Sequence, residues 1–213
     1  MTSVWTACSL LLDYPTDELV SALDRIEGLV PGHRDLAPLV EHLRRTPLRD
    51  VQEEYVATFD HTRRCALYLT YFAYGDTRRR GVALLRFKHA YRAAGAEWDE
   101  DCGELPDHLC AVLQFGATVH PDAARQLLLD HRAGLEMLRL ALAGWRRTDG
   151  RGTGSPWLGA VTAVCDTLPA LRGDERDAVR RLVEQGPPAE EVGLDPYDGQ
   201  PVIATTIPVG APR

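Results

Sequence analysis

The chain has 213 residues, with 24 Lys and Arg against 31 Asp and Glu for a formal net charge of −7. With 45% hydrophobic and 26% charged residues it is neither disordered nor fibrous in composition, and a chain this long can bury roughly 70% of its unfolded surface without metal or disulfide staples. The acidic balance argues against nucleic acid, whose phosphates require a surplus of Lys and Arg.

The start, Met1 to Leu12, has an apolar middle but no positive residue before it and no small-residue cleavage site after it, so it does not read as a signal peptide. Val4 to Leu12 instead predicts a first helix, which Tyr14-Pro15 ends because proline disfavours α geometry in the residue before it. Leu19, Leu23, Ile26 and Val30 recur at three- and four-residue spacing and predict a second helix from Asp17, broken by Pro31-Gly32. A third is expected from Asp35 to Arg45. Thr46-Pro47 supplies a capping hydroxyl and a proline for a fourth, with Leu48, Val51, Tyr55 and Phe59 on one face.

From His61 to Tyr74 the composition turns strand-like, and a buried connection is expected there. Gly75-Asp76 predicts the cap of a long helix to about Ala94, with Gly95 as terminator. After an acidic loop, Pro106 is read as opening a helix with Leu109, Val112, Leu113 and Phe115. Pro121 is read as opening another, with a break near Gly134. The stretch from Thr148 to Ser155 reads as a linker, Ser155-Pro156 as a helix start and Asp174 as the start of the last helix. The expected fold class is therefore all-α: one helical bundle of about nine helices over residues 1–188. Residues 189–213 are expected to form a mobile tail, either inert or docked weakly in an empty binding groove.

No apolar run approaches the ~20 residues that cross a bilayer, so no membrane span is expected. The five cysteines, Cys8, Cys65, Cys102, Cys110 and Cys165, contain no C-x-x-C pair and suit a reducing compartment; disulfides are not expected, and the cytoplasm is the expected location. Catalytic motifs of the G-x-S-x-G or H-E-x-x-H type do not occur, nor does a phosphate-binding glycine loop. A metal-dependent enzyme or regulator could use Cys102, His108 and Cys110, but their spacing departs from the two close ligand pairs of structural zinc sites.

Two charge patterns stand out. Arg63, Arg64, Arg78, Arg79 and Arg80 lie among Tyr55, Phe59, Tyr68, Tyr71, Phe72 and Tyr74, and Arg78 to Arg80 fall where a helix macrodipole disfavours cations. They either brace the fold through carboxylates or bind a partner. Glu97, Asp99, Glu100, Asp101, Glu104 and Asp107 form the opposite extreme, either a solvated loop or a docking site for a cationic peptide. His108 is either a core histidine or a polar edge offered to a ligand.

Three segments, Tyr55-Val56-Ala57-Thr58-Phe59-Asp60, Arg63-Arg64-Cys65-Ala66-Leu67-Tyr68-Leu69-Thr70-Tyr71 and Gly75-Asp76-Thr77-Arg78-Arg79-Arg80-Gly81, resemble the NarJ-type chaperones of nitrate reductase assembly, within the wider TorD and DmsD family of redox-enzyme maturation proteins. Glu104-Leu105-Pro106-Asp107-His108-Leu109, His131-Arg132-Ala133-Gly134-Leu135 and Ser155-Pro156-Trp157 are also similar, and the resemblance covers roughly residues 1–195. It implies an all-helical, non-enzymatic cytoplasmic protein without a cofactor of its own. Such a protein holds the N-terminal region of the apo catalytic (alpha) subunit of respiratory nitrate reductase, keeps it competent for molybdenum cofactor insertion, and is absent from the finished enzyme. By position it implies that Tyr55, Phe59, Leu67, Tyr71, Asp76 and Arg78 line or support a peptide groove, with Pro106, Asp107 and His108 at its rim.

Overall fold

The structure, a computed structural model, describes residues 1–145 and 153–185. The proposed tail at 189–213 and most of the proposed linker lie outside them. Among the described residues there are eleven α-helices and no named strand. The first two are α1 (Thr2–Leu11) and α2 (Asp17–Leu29), followed by α3 (Ala37–Arg45), α4 (Leu48–Tyr55), α5 (Tyr71–Tyr74) and α6 (Arg78–Ala93). Then come α7 (Leu109–Thr118), α8 (Pro121–Asp130), α9 (Arg132–Ala143), α10 (Leu158–Asp166) and α11 (Gly173–Gln185). The all-α expectation holds. The excess over nine comes from α5, inside the expected connection, and from α8 and α9 being separate helices.

The centre belongs to α1, which packs against α2, α7 and α10. Its Trp5 is fully buried, and the indole Nε1 donates to Thr167 Oγ1 at 2.9 Å, tying α1 to the end of α10. Gly116 lets α7 pass beside this ring, since a Cβ there would stand 2.5 Å from Ala124 Cβ and 2.6 Å from Trp5 Cζ3. In α2 the Thr16 side chain accepts from the Leu19 N–H at 3.2 Å, and Asp17 and Glu18 complement the dipole in the first turn. The expected stripe Leu19, Leu23 and Ile26 is buried. These residues join those of α3, α7, α9 and α10 in one continuous apolar cluster.

Four boundaries differ from the sequence reading, each for a local reason. Thr46 does not cap α4; its hydroxyl meets His42 Nδ1 at 3.4 Å, and Pro47 stands at the cap position. The expected fourth helix changes hand-hold at Val56–Asp60, a π-helical turn in which the His61 N–H reaches back to the Val56 carbonyl at 3.1 Å. There the Thr58 hydroxyl donates to the Glu54 carbonyl at 2.8 Å, drawing on a group the α ladder would also use. Pro106 does not open a helix, because the residues after it are recruited by the 67–69 segment and α7 starts only at Leu109. The break between α8 and α9 falls at His131, whereas Gly134 sits inside α9, where a Cβ would lie 2.9 Å from Phe72 Cβ.

The tightest backbone approach is at Gly159 in α10, where a Cβ would stand 1.8 Å from the Asp35 carbonyl oxygen. Gly81 in α6 has nothing within 4 Å of its virtual Cβ. Gly159→Ala is therefore expected to destabilise the fold by about 2 kcal/mol or more through overpacking, and Gly81→Ala to stabilise it by roughly 0.5–1 kcal/mol through helix propensity. Urea denaturation of the two variants beside the parent protein checks the opposite signs.

Candidate functional site

The site begins with two extended segments far apart in sequence. The Leu69 N–H donates to the Asp107 carbonyl at 3.1 Å and the Leu109 N–H to the Leu67 carbonyl at 2.8 Å, so that Tyr68 and His108 pair as an isolated antiparallel bridge. This is where the strand-like composition of 67–72 is expressed. The Asp107 side chain completes the junction: it has no exposed surface, and its Oδ2 accepts from the Thr70 N–H at 3.0 Å and the Thr70 hydroxyl at 2.5 Å.

Arg80 reaches the same point from the first turn of α6. Its Nε donates to Thr70 Oγ1 at 3.2 Å, its Nη1 to Asp76 Oδ1 at 3.3 Å, and its Nη2 lies 3.9 Å from Asp107 Oδ2. The guanidinium carbon stands 5.2 Å from the centre of the Tyr68 ring and 6.0 Å from that of Tyr71. Of the two readings of the arginine cluster, Arg80 thus takes the bracing one, while Arg63, Arg64, Arg78 and Arg79 are exposed. Gly75, at φ 57°, makes the sharp turn that delivers Asp76 and Thr77 to this helix start, a conformation a side chain would strain.

Two cavities open beside the bridge. The smaller, about 250 Å³, has Tyr14, Tyr55, Phe59, Leu67 and Tyr68 as its walls. The larger, about 600 Å³, is walled by Tyr91, Trp98, Phe115 and Val119 among others. Asp13, Glu104 and His108 line both, so the two adjoin as one groove; Asp60 joins the smaller and Glu97 and Asp99 the larger, and neither cavity contains Lys or Arg in its lining. Behind the smaller cavity lies fully buried Trp157, whose ring centre is 5.5 Å from Tyr55 and 5.4 Å from Phe59. Tyr55 is fixed further by its hydroxyl, which donates to the Leu12 carbonyl at 3.0 Å.

The electrostatics follow from burial beside carboxylates. Burial, and then the neighbouring Glu104, push the Tyr68 phenol up to about 12. Burial holds His108 below its ordinary value even though Glu104, Asp13 and Asp107 pull the other way. Its Nε2 is 3.9 Å from Glu104 Oε2, beyond hydrogen-bond range, and its ring stands 5.2 Å from that of Tyr68.

The groove gathers only part of the set named from the sequence. Tyr55, Phe59, Leu67 and His108 come together in the smaller cavity. Asp107, expected at the rim, is instead fully buried, because its carboxylate is consumed by Thr70. Pro106 is also buried, its carbonyl accepting from the Tyr91 hydroxyl at 2.6 Å. Tyr71, Asp76 and Arg78 line neither cavity: Tyr71 packs edge-on against Phe72, and Asp76 and Arg78 lie on the surface around the start of α6. Asp13, Tyr14, Tyr91, Trp98 and Phe115 were not anticipated; Tyr14 was legible only as the residue before a helix-ending proline.

Cys102, His108 and Cys110 do line one cavity, yet no group of three His, Cys, Asp or Glu among the described residues is placed to hold a metal ion. Burial first, and then nearby carboxylates, raise the Cys110 thiol well above its ordinary value, which opposes the thiolate that a metal would bind. Cys8, Cys65 and Cys165 are also buried, their thiols pushed up by burial to about 12, 11 and 12; Cys102 alone is exposed.

Residues 28–145 match the family described as nitrate reductase delta subunit, a span that contains the bridge, Arg80, Asp107 and most of the groove. A nitrate reductase-like protein, NarX, of Mycobacterium tuberculosis is 36% identical over 166 residues, 77% of this chain but only 24% of that protein, so the chain spans about a quarter of its length. A probable nitrate reductase molybdenum cofactor assembly chaperone, NarJ, of Bacillus subtilis is 34% identical over 129 residues, 58% of this chain and 69% of its own. Another, NarW of Escherichia coli, is 31% identical over 57% of this chain and 52% of its own. The crystal structure of a putative redox enzyme maturation protein from Archaeoglobus fulgidus has the same fold, with a TM-score of 0.57 at 22% identity over 78% of this chain and 93% of that one.

Two outcomes are expected from the junction and its histidine. Asp107→Ala strips Thr70 and Arg80 of their buried partner and should cost about 3–5 kcal/mol of stability in urea denaturation. His108 has its folded value lowered from 6.5, as does His131, in both cases chiefly by burial. As pH falls through that range the unfolded chain therefore takes up protons that the folded chain refuses, and stability should fall. Denaturation midpoints at about pH 7.5 and about pH 5.5 check this, and His108→Gln should shrink the difference.

Proposed function

Because the chain belongs to the nitrate reductase delta subunit family, we propose that it is an assembly chaperone for a respiratory nitrate reductase. On this reading it binds the N-terminal segment of the apo catalytic subunit in the cytoplasm, keeps that subunit open for molybdenum cofactor insertion, and does not remain in the mature enzyme. Chemistry is left to the client. The observation that carries the reading is the groove itself, two adjoining cavities with aromatic walls and an acidic rim, most of it within the residues that match the family.

A peptide helix or extended segment typically sinks apolar side chains into such a groove while polar groups at the rim set its direction. Tyr and Trp suit the task because they offer wide contact area for few rotatable bonds. Trp98 stacks on Tyr91 at 5.6 Å between ring centres and is only partly buried, so its outer surface is available to a ligand. Tyr55, Phe59 and Leu67 combine a packing role with a groove wall. Tyr71, Asp76 and Arg78 belong to the support of α6 in this scheme, and Pro106 and Asp107 to the support of His108.

Titration calorimetry with a synthetic peptide from the N-terminus of the cognate catalytic subunit tests the reading. That peptide is expected to bind, while one of equal length from the interior of the same subunit is not. Trp98→Ala should weaken binding by about tenfold or more, the effect of losing an aromatic anchor, with the circular dichroism spectrum unchanged. Equal binding of the two peptides would overturn the assignment of the N-terminal segment, and full affinity in the Trp98 variant would remove the larger cavity from the binding surface.

A further inference from the structure

Charge is placed unevenly along this chain, and α6 carries the extreme. Residues 77–96 contain six Lys and Arg and no Asp or Glu, in a protein of net charge −7. Arg80 and Lys88 are answered by Asp76 and Glu100. Arg79, Arg86 and Arg92 are exposed and make no ion pair among the described residues. Ala83, Phe87 and Tyr91 face the core, which turns Arg78, Val82, Leu85, His89 and Arg92 outward as one ridge at alternating spacings of four and three. Val82 and Leu85, at its middle, are 61% and 51% exposed. The ridge therefore runs cation, two aliphatics, cation along about 21 Å of helix.

The sequence beyond α11 carries the complement. Residues 182–212 contain five Asp and Glu and no Lys or Arg. In Glu190-Glu191-Val192-Gly193-Leu194-Asp195-Pro196-Tyr197-Asp198, acids flank two aliphatics as cations flank Val82 and Leu85. At full extension this stretch can span about 26 Å, enough to follow the whole ridge. Its point of departure is also suitable. Gln185, with Phe72 and Ala73 of α5, lines a cavity of about 300 Å³, and Gly75-Asp76-Thr77 carries α5 into α6. The chain from Gln185 to Glu190 can reach about 16 Å.

Other occupants fit less well. The ridge of a second copy would set guanidinium against guanidinium. A flat anionic surface would also meet the exposed carboxylates of Asp76 and of Glu97, Asp99 and Asp101, which border the two ends of α6. The acid-lined groove offers residues 190–198 no Lys or Arg.

We propose that residues 190–198 of the same chain dock along the outer ridge of α6, with their carboxylates on Arg79, Arg86 and Arg92 and with Val192 and Leu194 against Val82 and Leu85. The contact goes beyond the chaperone reading and does not depend on it. It covers the cationic face, so an anionic partner gains α6 only by displacing this segment, at a cost in apparent affinity.

The test uses the full chain carrying Arg79→Lys and Arg86→Lys, which keep the charges and offer amines to a zero-length carbodiimide. That reagent joins an amine only to a carboxylate in contact with it. Lys88 is the one native lysine, and its coupling to Glu100, 2.6 Å away, is the internal control. Mass spectrometry is expected to find position 79 or 86 joined to Glu190, Glu191, Asp195 or Asp198 of the same chain. The yield should be about fivefold or more higher at roughly 20 mM salt than at 1 M, where the Debye length is about 3 Å. Coupling at Lys88 alone, or only to carboxylates outside 190–198, overturns the proposal. Coupling found only between isotope-labelled and unlabelled chains gives the ridge to a second copy and overturns it equally. Should the double variant fail to fold, the native arginines are kept and the acids changed. Glu190→Gln, Glu191→Gln and Asp195→Asn together should then move the amide NMR signals of Val82, Leu85 and His89 in the full chain; unmoved signals overturn the contact.

Discussion

A carboxylate with no exposed surface is costly unless donors meet it, and Asp107 is held at one oxygen, Oδ2, by the Thr70 amide and hydroxyl with Arg80 close behind, while its Oδ1 has no hydrogen-bond partner among the described residues. Much of the groove hangs on this contact. It joins segments 37 residues apart, holds the two backbone hydrogen bonds of the Tyr68–His108 bridge in register, and draws the first turn of α6 inward against the unfavourable macrodipole. Removing one partner would leave the others buried and unpaired, so the junction acts as a unit. Its product is positional: residue 108 follows the anchored carboxylate directly and is thereby set between the two cavities.

The walls of the groove come from separate parts of the chain, each with its own fixing device. Tyr55 is held by a hydrogen bond to the end of α1 and by the edge of Trp157 from the start of α10. Ser155 Oγ accepts from the Trp157 N–H at 3.3 Å, which makes sense of the Ser155-Pro156-Trp157 segment as a support for the aromatic wall. Gly134 has a comparable indirect role, since its missing side chain allows α9 to close on Phe72 in α5, beside the junction.

Helix content, and the order and approximate bounds of the longer helices, could be read from apolar spacing, because each long helix buries one stripe against a single core. What escaped were places where side chains or distant backbone outbid the local signal. Pro106 carries a strong helix-start signal, yet the following residues pair with 67–69; no local rule anticipates a partner so far away in sequence. The Gly134 break was misplaced for a related reason: that glycine answers to Phe72, not to the end of a helix. For the groove, the motif contains Tyr55, Phe59, Leu67 and His108, which line one cavity. It also suggested Asp107, whose chemical character was evident but whose burial was not. Asp13 and Tyr14 escaped because their role comes from where α1 ends against α4, a tertiary fact without a sequence period.

The distribution of thiols also makes the protein its own reporter. Cys8, Cys65, Cys110 and Cys165 are buried and held in their protonated, unreactive form, whereas Cys102 is exposed and lines the larger cavity. A maleimide dye added to the unmodified chain would go to that one sulfur, in the lining of the cavity that also contains Trp98. Fluorescence from a single natural position could then follow a guest arriving and leaving, with no engineered cysteine and no deletion of the native ones.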